Sequence, residues 1–123
     1  MQIFSKTDRG RVRTDNQDAY FAGKITDDSV FAVVCDGMGG ANAGNVASEL
    51  AVRHISEYVI RSYRDGMDMT DTEKTLKNAI VSANISLYDK AVNNAELAGM
   101  GTTAVAVFVK DGTAVIAHVG DSR

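Results

Sequence analysis

Apolar residues fall into two kinds of pattern along the chain. Short runs lie at 19–22, 30–35, 104–109 and 114–119, each flanked by Gly, Asp, Ser, Lys or Thr, and runs of this length read as strands. Between the second and third runs, apolar residues recur every three or four positions. Val46, Ala47, Leu50, Ala51, Ile55, Tyr58 and Val59 give one stripe, and Leu76, Ile80, Ala83, Leu87 and Ala91 give another. Each stripe predicts an amphipathic helix.

Turn chemistry divides these elements. Asp27-Asp28 leads from the 19–22 segment into the Val30 strand, and Asp65-Gly66-Met67-Asp68 separates the two helices. Thr70 and Glu73 have the spacing of a capping box for the second helix, while Lys110-Asp111-Gly112-Thr113 reads as a hairpin turn. Ile3 and Phe4 can start a further short strand. The 30–35 run and the 104–119 pair are apolar at nearly every position, so both of their faces are expected to be covered. The fold expected is α+β: antiparallel strands with a pair of antiparallel helices packed on them.

Composition narrows the class without naming a function. The 123 residues are 45% apolar and 24% charged, which suits one globular domain with a core of its own. Thirteen basic residues against sixteen acidic ones leave a net charge of −3, and no basic cluster marks nucleic acid or an anionic membrane as a partner. No apolar stretch approaches the roughly 20 residues of a membrane span. The one cysteine, Cys35, excludes an intramolecular disulfide and fits a reducing cytoplasm. It lies inside an apolar run and reads as a small core residue.

The chemistry concentrates where strands end. The Val30 strand stops abruptly at Asp36-Gly37-Met38-Gly39-Gly40, a carboxylate followed by backbone that can approach a ligand closely. Such a turn suits a hard cation such as Mg2+ or Mn2+; an ordinary strand-end turn and a phosphate cradle are the competing readings, although the Gly-Lys-Ser/Thr of a P-loop is missing. Upstream, in the charged stretch 7–18, Arg13 has the side chain best shaped to grip phosphate oxygens. The hairpin through Asp27-Asp28 would bring Asp18 to the sheet end that carries Asp36. The last strand also ends in a carboxylate, Asp121, within Gly120-Asp121-Ser122-Arg123. Ser122 lacks a nucleophile elbow and a Ser-His-Asp order, and His54 and His118 have no partner at a metal-ligand spacing.

With these residues in place, the sequence resembles the type 2C metal-dependent protein serine/threonine phosphatases in their compact bacterial form. Four motifs match in order: Arg13-x-x-Asn16-x-Asp18, Asp36-Gly37-Met38-Gly39-Gly40, Gly101-Thr102-Thr103 and Gly120-Asp121-Ser122-Arg123. The resemblance implies hydrolysis of phosphoserine and phosphothreonine in proteins by water activated at two Mn2+ or Mg2+ ions. It implies that Asp36 bridges both ions, that the Gly37 carbonyl adds a ligand, and that Asp18 belongs to the same site. Arg13 would hold the substrate phosphate, and Asp121 would serve an additional, weaker metal site. Met38 stands where many eukaryotic members carry a histidine proposed as general acid, and a thioether cannot donate that proton.

The family domain is roughly twice as long as this chain, a four-layer α-β-β-α sandwich whose later aspartates complete the metal centre. Residues 1–123 are therefore expected to form the N-terminal half of such a catalytic domain, inactive by itself. Apolar strands without full cover predict association, as a domain-swapped homodimer or with the missing C-terminal half. The implied partners are phosphorylated proteins, substrates of a bacterial serine/threonine kinase. The alternative is a non-catalytic half-domain, an assembly or interaction module with at most a weak metal site.

Overall fold

A computed structural model describes residues 18–39 and 43–119. Its elements run β1 (Asp18–Thr26), β2 (Ser29–Met38), α1 (Ala43–Ser62), α2 (Met69–Asn93), β3 (Gly101–Thr102), β4 (Ala104–Lys110) and β5 (Thr113–Val119), with a 3-10 turn at Ala95–Leu97. The expected strand at Ile3 and Phe4, the phosphate ligand Arg13 and the terminal aspartate Asp121 lie outside the described residues.

All pairings are antiparallel, in the order β1-β2-β4-β5, with β3 attached to the end of β2. This is the α+β arrangement that the alternation of runs and stripes predicts. The hairpin at 110–113 forms, and Asp111 (φ 52°) and Gly112 (φ 75°) both take the positive φ that a two-residue type I′ turn demands. Both helices lie on one face of the sheet, joined by the short link 63–68 and held together part-way along by a 2.8 Å hydrogen bond between His54 Nε2 and Ser82 Oγ. His54 is thus a half-buried packing residue, as its solitary position in the sequence suggests.

The core fills the space between this helix pair and the sheet. Phe31, Val33 and Cys35 of β2 are fully buried there, against Ile55 and Val59 of α1 and Leu76 of α2. At one end the Phe108 ring lies 4.6 Å from the ring of Tyr63. Lys110 closes that end, donating to the Tyr63 hydroxyl and to Asp65 Oδ1, both at 3.2 Å. These two hydrogen bonds hold its ammonium above the ordinary lysine pKa.

Two expectations need correction. The β2 run is covered on one face only: Phe31, Val33 and Cys35 are buried, whereas Val34 between them is 49% exposed. On β5, Ile116 is 59% exposed, in keeping with the expectation of apolar strands without full cover. A continuous apolar run does not reveal how many layers cover it, and among the described residues the helices supply one. The helix cap is also displaced. Asp68, with extended backbone, accepts a hydrogen bond from the Asp71 amide at 2.8 Å and caps α2, so Thr70 lies inside the first turn and the capping box does not form.

Cys35 behaves as a core residue. Burial pushes its thiol up from 9.0 to about 12, opposed in part by a hydrogen bond with Thr102. Folding therefore favours the neutral thiol. The stability it contributes is full below pH 9.0, where unfolded and folded thiols are both protonated, and is lost as the pH climbs towards about 12. In the native protein, Cys35 is expected to react with DTNB at pH 8 at least ~100-fold more slowly than in denaturant; equal rates would show that the strand opens readily.

Candidate metal centre

The β1–β2 hairpin sets Asp18 directly opposite Asp36. Residues opposed in an antiparallel ladder share a face, with Cβ atoms about 4.5–5.5 Å apart. Both aspartates are half-buried, while Cys35 and Gly37 on either side of Asp36 are buried. Asp36 therefore projects from the face away from the helices, on a strand whose alternate side chains are locked into the core. Its aim is fixed by that packing.

A second element holds the Asp36 backbone. Residues 101–102 form a short strand separate from β4, in which Thr102 opposes Gly37 and Gly101 opposes Met38. The Thr103 amide donates to the Asp36 carbonyl at 3.0 Å, and the Thr103 hydroxyl accepts from the Asp36 amide at 3.3 Å. The Thr102 hydroxyl, which also hydrogen-bonds with Cys35, lies 3.2 Å from the Asp36 carbonyl and 2.8 Å from the Thr103 carbonyl, and its single proton serves one acceptor at a time. Thr102 and Thr103 are positioning residues for Asp36. Reasoning from local pattern assigns them no role, because their partner lies 66–67 residues away.

The turn after Asp36 is tightly seated. Gly39 has φ +145°, and a Cβ there would lie 2.8 Å from the Ala43 Cβ and 3.3 Å from the Met100 Cα. Gly39→Ala is expected to cost about 2–3 kcal/mol through backbone strain and overpacking. Gly112, also at positive φ (+75°) but with nothing within 4 Å of a Cβ, serves as the control: Gly112→Ala pays the strain alone, about 1–2 kcal/mol. Urea titration of both variants distinguishes the two contributions.

Two carboxylates facing each other across one ladder repel, and a divalent cation between them converts that cost into attraction. Carboxylate and carbonyl oxygens are also the donors preferred by Mg2+ and Mn2+. In kind, the residues present fit such an ion. In number they form one wall: among the described residues, no three His, Cys, Asp or Glu side chains converge as a metal cage. His118 is an exposed residue of β5. Met38 is 52% exposed beside the turn.

Comparison with known proteins follows the same lines. A family model described as Protein phosphatase 2C matches residues 7–123. A serine/threonine phosphatase (stp) of Listeria monocytogenes is 39% identical over 118 residues, covering 96% of this chain and 46% of the relative. The crystal structure of the serine/threonine phosphatase Stp1 from Staphylococcus aureus superposes with a TM-score of 0.84 at 38% identity, covering 96% of this chain and 46% of that one. The Mycobacterium tuberculosis phosphatase PstP/Ppp gives a TM-score of 0.78 at 31% identity, with the same coverage of 96% and 46%. The chain spans about half the length of the curated Listeria and Streptococcus relatives it matches and 22% of the curated Mycobacterium tuberculosis PstP.

Proposed function

The chain belongs to the protein phosphatase 2C family, and on that footing we propose that it carries one wall of a metal-dependent site that hydrolyses phosphoserine and phosphothreonine in proteins. The observation that carries this reading is the in-register pair Asp18 and Asp36 across β1 and β2, with the Asp36 backbone clamped by Thr102 and Thr103. In this reading Asp36, Asp18 and the Gly37 carbonyl would hold the Mn2+ or Mg2+ ions, and Asp121 would serve an additional one. When bound, such ions would supply positive charge for the phosphoryl oxygens and a more acidic water. Arg13 grips two phosphate oxygens through its planar guanidinium and sets the phosphoryl group in place.

Residues 1–123 act here as the N-terminal half of a catalytic domain whose remaining carboxylates come from elsewhere. The substrates are phosphoproteins made by a serine/threonine kinase, in a bacterial cytoplasm. Among the described residues no helix is long and apolar enough to cross a membrane.

A second reading, a non-catalytic assembly module, draws on the exposed apolar side chains of the sheet, among them Val34 and Ile116. Phosphate release from a phosphothreonine peptide in the presence of Mn2+ separates the two. EDTA-sensitive turnover by the chain, lost in Asp36→Asn, supports the catalytic reading for the chain itself. If turnover requires addition of the remaining half of a relative's domain, the half-site reading stands. Absence of turnover and of Mn2+ binding under both conditions leaves the assembly module.

A further inference from the structure

Cys35 is fully buried, but its surroundings are not wholly apolar. It shares the helix-facing side of β2 with Gly37, and Thr102 of β3 stands opposite Gly37. Thr102 is therefore the diagonal neighbour of Cys35 on that side, and Gly37 has no side chain to stand between them. The Thr102 hydroxyl hydrogen-bonds with the Cys35 sulfur. It also meets the Thr103 carbonyl at 2.8 Å and lies 3.2 Å from the Asp36 carbonyl. The ladder is irregular at this point. Val34 opposes Val105 and Gly37 opposes Thr102, so Asp36 falls opposite Thr103, and a regular pair of this kind exchanges two backbone hydrogen bonds. One of them is made, from the Thr103 amide to the Asp36 carbonyl at 3.0 Å. The return bond from the Asp36 amide goes to the Thr103 hydroxyl, at 3.3 Å.

Donors and acceptors set the direction of these bonds. Both carbonyls can only accept, so the one proton of the Thr102 hydroxyl belongs on a carbonyl, and the shorter contact assigns it to Thr103. Sulfur is a weak acceptor, whereas the neutral thiol carries a donor and the hydroxyl oxygen has lone pairs to receive it. A hydroxyl that accepts a hydrogen bond donates more strongly through its own proton, and burial strengthens both bonds. We propose that the Cys35 thiol is a positioning residue for Asp36: it donates to the Thr102 hydroxyl, which holds the Thr103 carbonyl out of the ladder and leaves the Asp36 amide to the Thr103 side chain. The thiol thus acts on the Asp36 main chain through two threonines, from the side of the strand opposite the carboxylate. Its role in a metal site rests on the reading of Asp36 as a ligand; the chain of hydrogen bonds does not.

Cys35 is the sole cysteine, so the S–H stretching band of the protein belongs to it alone. In EDTA, Thr102→Val keeps the side-chain shape, removes the hydroxyl and should move that band to higher frequency, because the thiol loses its acceptor. A band unmoved by Thr102→Val overturns the proposal. Two variants at Cys35 extend the test to the main chain: Cys35→Val fills the site without a donor, and Cys35→Ser keeps one. The Thr103 carbonyl-carbon resonance, remote in sequence from the substitution, should shift in Cys35→Val and return towards wild type in Cys35→Ser. Equal shifts in both would reduce Cys35 to a space-filling residue and overturn the proposal; if Cys35→Val does not fold, the vibrational band still decides. With Mn2+, affinity should fall about 3–10-fold in Cys35→Val, one step short of the loss of a direct outer partner, and recover in Cys35→Ser. Unchanged affinity removes Cys35 from the positioning of Asp36. Wild-type protein that binds no Mn2+ instead refutes Asp36 as a ligand, while the band and the carbonyl resonance, read in EDTA, still decide the hydrogen-bond chain.

Discussion

Replacing Phe31 with alanine is expected to lower the unfolding free energy by about 3–5 kcal/mol, seen as a fall in the urea midpoint. Phe31 is fully buried at the middle of β2, between Gly23 of β1 and Phe108 of β4 in the ladder. Its ring lies 6.3 Å from that of Phe21. Gly23 has no side chain of its own, and the tip of the Phe21 ring lies 3.2 Å from where its Cβ would stand, so truncation of Phe31 leaves a cavity beside that ring. A domain of this size has a total stability of about 5–15 kcal/mol, so the variant is expected to be marginal at 37 °C. Val34→Ala, three positions along on the open face, should cost less than about 1 kcal/mol. Equal losses at the two positions would mean that both faces of β2 are covered in solution.

The contrast between Phe31 and Val34 also shows what the sequence could and could not tell. The strands, the two helices and the Asp27-Asp28 hairpin were readable because each rests on local pattern or turn chemistry. The alignment of Asp18 with Asp36 follows from that hairpin and was legible too. Coverage of the second sheet face was not, because an apolar run is the same whether one layer lies over it or two. The helix cap was ambiguous for a different reason: Asp68 and Asp71 stand at the same spacing as Thr70 and Glu73, and only the extended backbone at Asp68 decides between them. Thr102 and Thr103 show the limit of local reasoning. Nothing near them in the chain marks them as the clamp on Asp36; that role is created by the pairing of β2 with β3.

Asp36→Asn is expected to abolish stabilisation by Mn2+ while leaving the metal-free fold intact. Asparagine keeps the shape of the side chain and removes one of two like charges opposed in the ladder. Without metal, the variant should keep the wild-type far-UV circular dichroism. The ion separates the two proteins. A cation that binds the folded state alone contributes about 2.7 kcal/mol when its concentration is 100 times Kd, and each kcal/mol raises Tm by about 4–8 °C in a domain of roughly this size. Wild-type protein should thus melt at a higher temperature as Mn2+ is added, and Asp36→Asn should not respond over the same range. Thr103→Val, which removes a hydroxyl that orients the Asp36 backbone but leaves both carboxylates in place, should fall between them, with affinity reduced about 10–100-fold. This ordering separates a ligand from the residue that aims it. An unchanged Mn2+ response in Asp36→Asn would remove Asp36 from the metal centre and with it the proposed catalytic wall.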